Sequence, residues 1–162
     1  MFSVYQLYKC AHRLYQMEVP VLPKLITHAI RLFWGGYIPF AASLGTNTQF
    51  GYGAMSVVIH ERAMISNNCF ISQGVTIGGR SGHHDVPFIG NDVFIGAGAK
   101  VLGPIKVGDG ASIGANAVVT HDVPLGCTVA GVPARIIKRP KDTSEHVFTR
   151  EGEALHAKPS GF

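Results

Sequence analysis

Aliphatic residues recur every six positions from Ile59 to Val119, and this period constrains the fold more than any other feature of the chain. Steps of six give Ile65, Ile71, Ile77, His83, Ile89, Ile95, Val101, Val107, Ile113 and Val119, and only His83 breaks the series. Four residues after each lies a small or branched one, as at Ala63, Cys69, Val75, Val93, Ala99, Ile105, Ala111, Ala117 and Val123. Such a period matches neither a helix nor an alternating strand. It fits a parallel β-helix of hexapeptides, each one short strand and one corner, three to a triangular turn. Residues 18 apart are then expected to stack, Ile59 on Ile77, Ile95 and Ile113, about 4.8 Å from turn to turn. No single turn buries its inner face; only stacking does. From Leu44 to Val123 there is room for four to five turns.

The exceptions to the period carry as much information. Gly78, Gly90, Gly96, Gly108 and Gly114 each follow an inward residue and are expected to allow positive φ at the corners. Leu44-Gly45 and Phe50-Gly51 are three residues out of phase, which predicts a kink near Tyr52–Ser56. The stretch Arg80-Ser-Gly-His-His-Asp-Val-Pro87 is polar, and its ends keep the phase. Burying His83, His84 and Asp85 in so narrow a core would be costly. This segment is therefore expected to loop outward.

Three parts follow: a helical cap over residues 1–40, the repeat over 41–137, and a polar tail over 138–162. In the cap, Val4, Leu7, Tyr8, Ala11, Leu14 and Tyr15 recur at helical spacing. Pro20 and Pro23 interrupt, and Leu22, Ile26, Ala29, Ile30 and Phe33 mark a second helix ended by Gly35-Gly36. The helices are expected to pack on the coil or a partner subunit, with peripheral membrane contact as the lesser reading. The apolar window from Val19 to Leu44 holds Lys24, His28, Arg31 and two Pro, so it does not read as a span.

Charge and cysteines narrow the function classes. The net charge is +4, and only 15% of residues are charged, against about 25% in an average domain. The cap carries four Lys/Arg and one Glu. Without a long basic run, nucleic-acid binding is not expected. Three widely spaced Cys (Cys10, Cys69, Cys127) suit neither a disulfide framework nor a zinc ribbon. They read as thiols of a cytoplasmic protein.

The run Gly74-Val-Thr-Ile-Gly-Gly79, the run Ile95-Gly-Ala-Gly-Ala-Lys-Val-Leu-Gly103 and the run Val129-Ala-Gly-Val-Pro-Ala-Arg-Ile136 resemble the hexapeptide-repeat acyltransferases. The likeness is greatest to serine O-acetyltransferases and to exopolysaccharide acetyltransferases of the colanic acid type. The resemblance implies a left-handed coil, a homotrimer, and active sites between neighbouring coils. It also implies acetyl-CoA as cosubstrate, with no metal expected, and with pantetheine near Ala97 and Ala115. Arg135 and Lys138, with Arg139 and Lys141, could hold its phosphates. The serine enzymes carry an Asp where this chain has Tyr37 and an Asp-His pair where it has Tyr52-Gly53. The acceptor is therefore expected to be a sugar or polysaccharide hydroxyl, with serine acetylation or a non-catalytic trimeric scaffold as alternatives.

Removing a hydroxyl proton needs a base titrating near neutral pH, and His suits that task. His83 or His84 is the expected base, His83 slightly preferred, with Asp85 orienting it. A backbone N–H near Gly78-Gly79 is expected to meet the oxyanion. His60 is expected to be a solvent-facing corner residue. A zinc reading needs three ligating His, and His83 and His84 lack a third at suitable spacing.

Overall fold

The structure, a computed structural model, describes residues 3–140. Two helices lead into a stack of short strands. Helix α1 spans Val4–Gln16 and opens on a capping box, in which Ser3 accepts from the Gln6 N–H and the Gln6 side chain accepts from the Ser3 N–H. Helix α2 spans Leu22–Trp34 with Pro23 in its first turn, and Gly35 ends it in the left-handed conformation. Both helices sit where expected.

Strands β1 (Ser43–Leu44) and β2 (Gln49–Phe50) precede a one-turn 3-10 segment at Gly51–Ala54. Next come β3 (Val58–Ile59), β4 (Met64–Ile65), β5 (Phe70–Ile71), β6 (Thr76–Gly78), β7 (Phe88–Ile89) and β8 (Phe94–Ile95). The stack continues through β9 (Lys100–Leu102), β10 (Lys106–Val107), β11 (Ser112–Ile113), β12 (Val118–Val119), β13 (Thr128–Ala130) and β14 (Arg135–Lys138). Three faces result: β1-β4-β7-β10, then β2-β5-β8-β11-β13-β14, then β3-β6-β9-β12. Every pairing is parallel except that of β13 with β14, which turns back to close the stack. This is a left-handed parallel β-helix of about four turns.

The inward residues form three columns: Leu44, Ile65, Ile89 and Val107; Phe50, Ile71, Ile95, Ile113 and Val129; and Ile59, Ile77, Val101 and Val119. The stacking order corrects one expectation. Ile77 pairs with Val101, not with Ile95. The outward loop between β6 and β7 adds one hexad of chain without advancing the coil, so pairs across it lie 24 residues apart instead of 18. The kink is where the phase break places it: the segment Gly51–Ala54 carries Tyr52 at φ 49° and Gly53 at φ 65°.

The corner glycines also differ from expectation. None of Gly78, Gly90, Gly96, Gly108 and Gly114 takes positive φ; a side chain would fit at Gly78 but not at the other four. They are small because the next turn lies against them: a Cβ on Gly96 would sit 2.7 Å from the Ala115 nitrogen and 2.8 Å from the Ile113 oxygen. The left-handed residue comes two positions later, at Asn47, Asn68, Gly74, Asp92, Gly98, Gly110, Asn116 and Gly126. Asn and Asp are among the side chains that tolerate this region.

Candidate functional site

Two groups of predicted residues lie at different corners of the triangular coil. The first is the corner joining the third face to the first, where the loop 79–87 leaves the coil. Residues 60–63 form the same corner one turn below, and 103–105 one turn above. An open cleft of about 350 Å³ lies there, lined at its polar end by Arg62, His84, Asp85 and Lys106. Its walls are apolar, with Met64, Phe88 and Ile105 among them.

His84 is the organised histidine of the pair. Arg62 Nη1 lies 2.6 Å from its Nε2 and 2.9 Å from its Nδ1. Asp85 Oδ1 lies 3.7 Å from His84 Nδ1. A guanidinium only donates, so the ring nitrogen it bonds must present a lone pair. Asp85 stands beyond hydrogen-bond reach of Nδ1, and a small turn of the ring would bring Nδ1–H to it and leave the Nε2 lone pair outward, the tautomer a general base needs. Both side chains are over 80% exposed, so the pair contributes geometry more than stability. His83 is exposed, and its backbone N–H donates to Arg80 O at 3.0 Å. Its ring has no hydrogen-bond partner among the described residues.

His60 departs from the solvent-facing reading. It is half-buried, and its Nδ1 accepts from the Arg62 N–H at 3.1 Å. That bond occupies the Nδ1 lone pair and leaves Nε2 as a donor in the neutral ring. Gly79 lies against it: a Cβ there would be 3.6 Å from Val86 Cγ1 and 3.9 Å from His60 Cδ2. The Gly79 N–H has no backbone acceptor among the described residues.

The second group occupies the corner joining the second face to the third. Ala97 and Ala115 stack there, tied by the Asn116 N–H donating to Ala97 O at 2.8 Å. Arg135 pairs with Ala130 on the neighbouring strand, and Arg135, Lys138 and Arg139 are exposed. Lys141 and the remaining tail lie outside the described residues. One chain therefore does not bring Gly79, His84 and Asp85 into one cleft with Ala97, Ala115, Arg135 and Lys138. Small corner side chains beside exposed cations suit a thin thioester arm ending in phosphates.

Arg62 went unnoticed in the sequence. Its only signal is register: once the outward loop is counted, Met64 pairs with Phe88, which sets Arg62 beneath Val86. Cys69 is no nucleophile, since burial pushes its thiol above the usual range and it donates to Gly90 O. Among the described residues no three His, Cys, Asp or Glu side chains gather as metal ligands would. No described helix is long and apolar enough to cross a membrane.

Residues 87–121 match the family model described as bacterial transferase hexapeptide (six repeats). A serine acetyltransferase of Synechococcus elongatus is 45% identical over 141 residues, covering 85% of this chain and 57% of the relative. A serine acetyltransferase structure from Brucella abortus strain S19 superposes with a TM-score of 0.79 at 38% identity, covering 83% of this chain and 55% of that one. A serine acetyltransferase solved in complex with CoA gives 0.75 at 40% identity, covering 83% and 55%. The chain thus spans a little over half the length of these relatives. The six-residue repeat, the triangular coil and these likenesses make the chain a member of the hexapeptide-repeat superfamily, similar over its coil to serine acetyltransferases.

Proposed function

We propose that this protein is an acetyl-CoA-dependent O-acetyltransferase with L-serine as its first acceptor to test. The observation that carries this reading is the His84–Asp85 pair beside Arg62, on a loop that the coil holds out at one corner. Acetyl-CoA supplies an activated acetyl group. Ala97 and Ala115 leave the coil backbone open to its arm, and Arg135 and Lys138 face its phosphates. Because these two groups occupy different corners, a neighbouring copy in a trimer completes the site.

His84 Nε2 accepts the acceptor's hydroxyl proton as the oxygen attacks the thioester carbonyl. Asp85 holds Nδ1–H and stabilises the imidazolium. The Gly79 N–H meets the oxyanion. When the C–S bond breaks, the imidazolium returns its proton to the departing sulfur. Arg62 must leave Nε2 before His84 can act, and a carboxylate on the acceptor would draw its guanidinium away. His83, the slightly preferred base on sequence grounds, lacks this setting. Free Cys10, Cys69 and Cys127 suit a reducing compartment such as the cytoplasm.

The named relatives favour serine over the sugar acceptor expected from the sequence. A saccharide acceptor stays as the second reading on one observation: Tyr52 and Gly53 stand where the serine enzymes carry an Asp-His pair, and Tyr52 is 81% exposed. Thiol release from acetyl-CoA, measured with L-serine and with a panel of sugars, separates the two. Release driven by L-serine supports the first reading. Release by sugars alone moves the acceptor to the second, and no release with any acceptor rejects the transferase.

A further inference from the structure

Helix α2 is apolar on two sides. Pro23, Thr27 and Ile30 are buried against the molecule, with Ile26 and Trp34 partly so. Away from them, Leu22, Leu25, Ala29, Leu32 and Phe33 recur at steps of three and four, forming a second stripe. Leu32 is 79% exposed, Phe33 74% and Leu25 57%. A helix on a globular surface needs only one apolar face, so this stripe asks for a partner.

The rest of the helix says what kind. Its only polar strip is Lys24, His28 and Arg31, and no Asp or Glu occurs between Glu18 and Glu61. A second copy of this stretch offers the patch no carboxylate to meet Lys24 and Arg31. An anionic bilayer supplies both complements: acyl chains for Leu25, Leu32 and Phe33, and headgroup charge for Lys24 and Arg31. Tyr52 and Met55 are also exposed, beyond the end of α2, where Gly53 lies against Trp34. Aromatic side chains at the rim of an apolar face suit the headgroup level. At 13 residues, α2 is too short to cross.

We propose that α2 seats this protein peripherally on an anionic membrane surface, lying in the interface with its second stripe inward. This does not depend on the acetyl-transfer reading. The test is cosedimentation of the full chain with vesicles of phosphatidylcholine alone and of equimolar phosphatidylcholine and phosphatidylglycerol. The wild type should bind the anionic vesicles and lose binding as salt rises. L32E/F33E should abolish binding, and K24Q/R31Q should weaken it about thirtyfold. Sedimentation should give all three proteins the same mass. Failure of the wild type to bind anionic vesicles overturns the proposal, as does unchanged binding by both variants. A lower assembly mass for L32E/F33E also overturns it, because a second copy would then be the occupant. If that variant does not fold, the salt dependence and K24Q/R31Q decide the matter.

Discussion

At the scale of residues, two polar groups make opposite demands on their surroundings. His84 is exposed, and the proposed role as base requires it to change partners, from Arg62 to an incoming hydroxyl. His84→Ala should lower turnover by about 10²–10⁴ while acetyl-CoA affinity holds; unchanged turnover in steady-state assays would remove His84 from the role. Tyr8 is buried and must not change partners. Its hydroxyl donates to Ala42 O and accepts from the Leu44 N–H, which clamps α1 to the first turn. Tyr8→Phe leaves that carbonyl and N–H unpaired, at a cost of about 1–3 kcal/mol. Burial also pushes the Tyr8 hydroxyl up from 10.0 to about 12. The folded state therefore disfavours the phenolate, so this stability is complete below pH 10 and lost as pH rises toward 12. Urea midpoints measured across that window should fall more steeply for the wild type than for Tyr8→Phe. Tyr5, also raised by burial, leaves a smaller slope in both. The cluster His83-His84-Asp85 was legible because it breaks an aliphatic series. Arg62 was not, because a cation at a corner looks like any solvated side chain until the register is known.

At the scale of elements, the coil repeats two separate devices at most of its corners. One is a small residue directly after the inward aliphatic, where the next turn leaves no room for a side chain. The other is a left-handed Asn, Asp or Gly two positions further on. The sequence pattern exposed the first residue set but not the second, and gave the first the wrong task, since Gly serves close approach and positive φ equally well. Gly96→Ala separates them: its φ is ordinary, so the penalty is the contact with Ala115 and Ile113 backbone. The expected loss is about 1–3 kcal/mol by denaturant unfolding, whereas a cost near zero would mean that neighbouring turns give way easily. The outward loop was legible from its polarity. Its effect on the register was missed because a six-residue insertion leaves the six-residue phase intact.

At the scale of the whole molecule, the corners set what one copy can do alone. The proposed base and oxyanion donor stand at one corner, and the small-residue track with its cations at another. The sequence named both sets, but their separation follows only from which face each hexad occupies. The proposed transfer requires acetyl-CoA to bind along the Ala97–Ala115 corner. Thermal unfolding of the wild type and of Ala115→Trp, with and without acetyl-CoA, tests it most directly. At a concentration 100 times the dissociation constant, binding should add about 2.7 kcal/mol to the wild type, and Ala115→Trp should show little of that gain. No shift of the wild type at millimolar acetyl-CoA, or an equal shift in both proteins, would contradict the account.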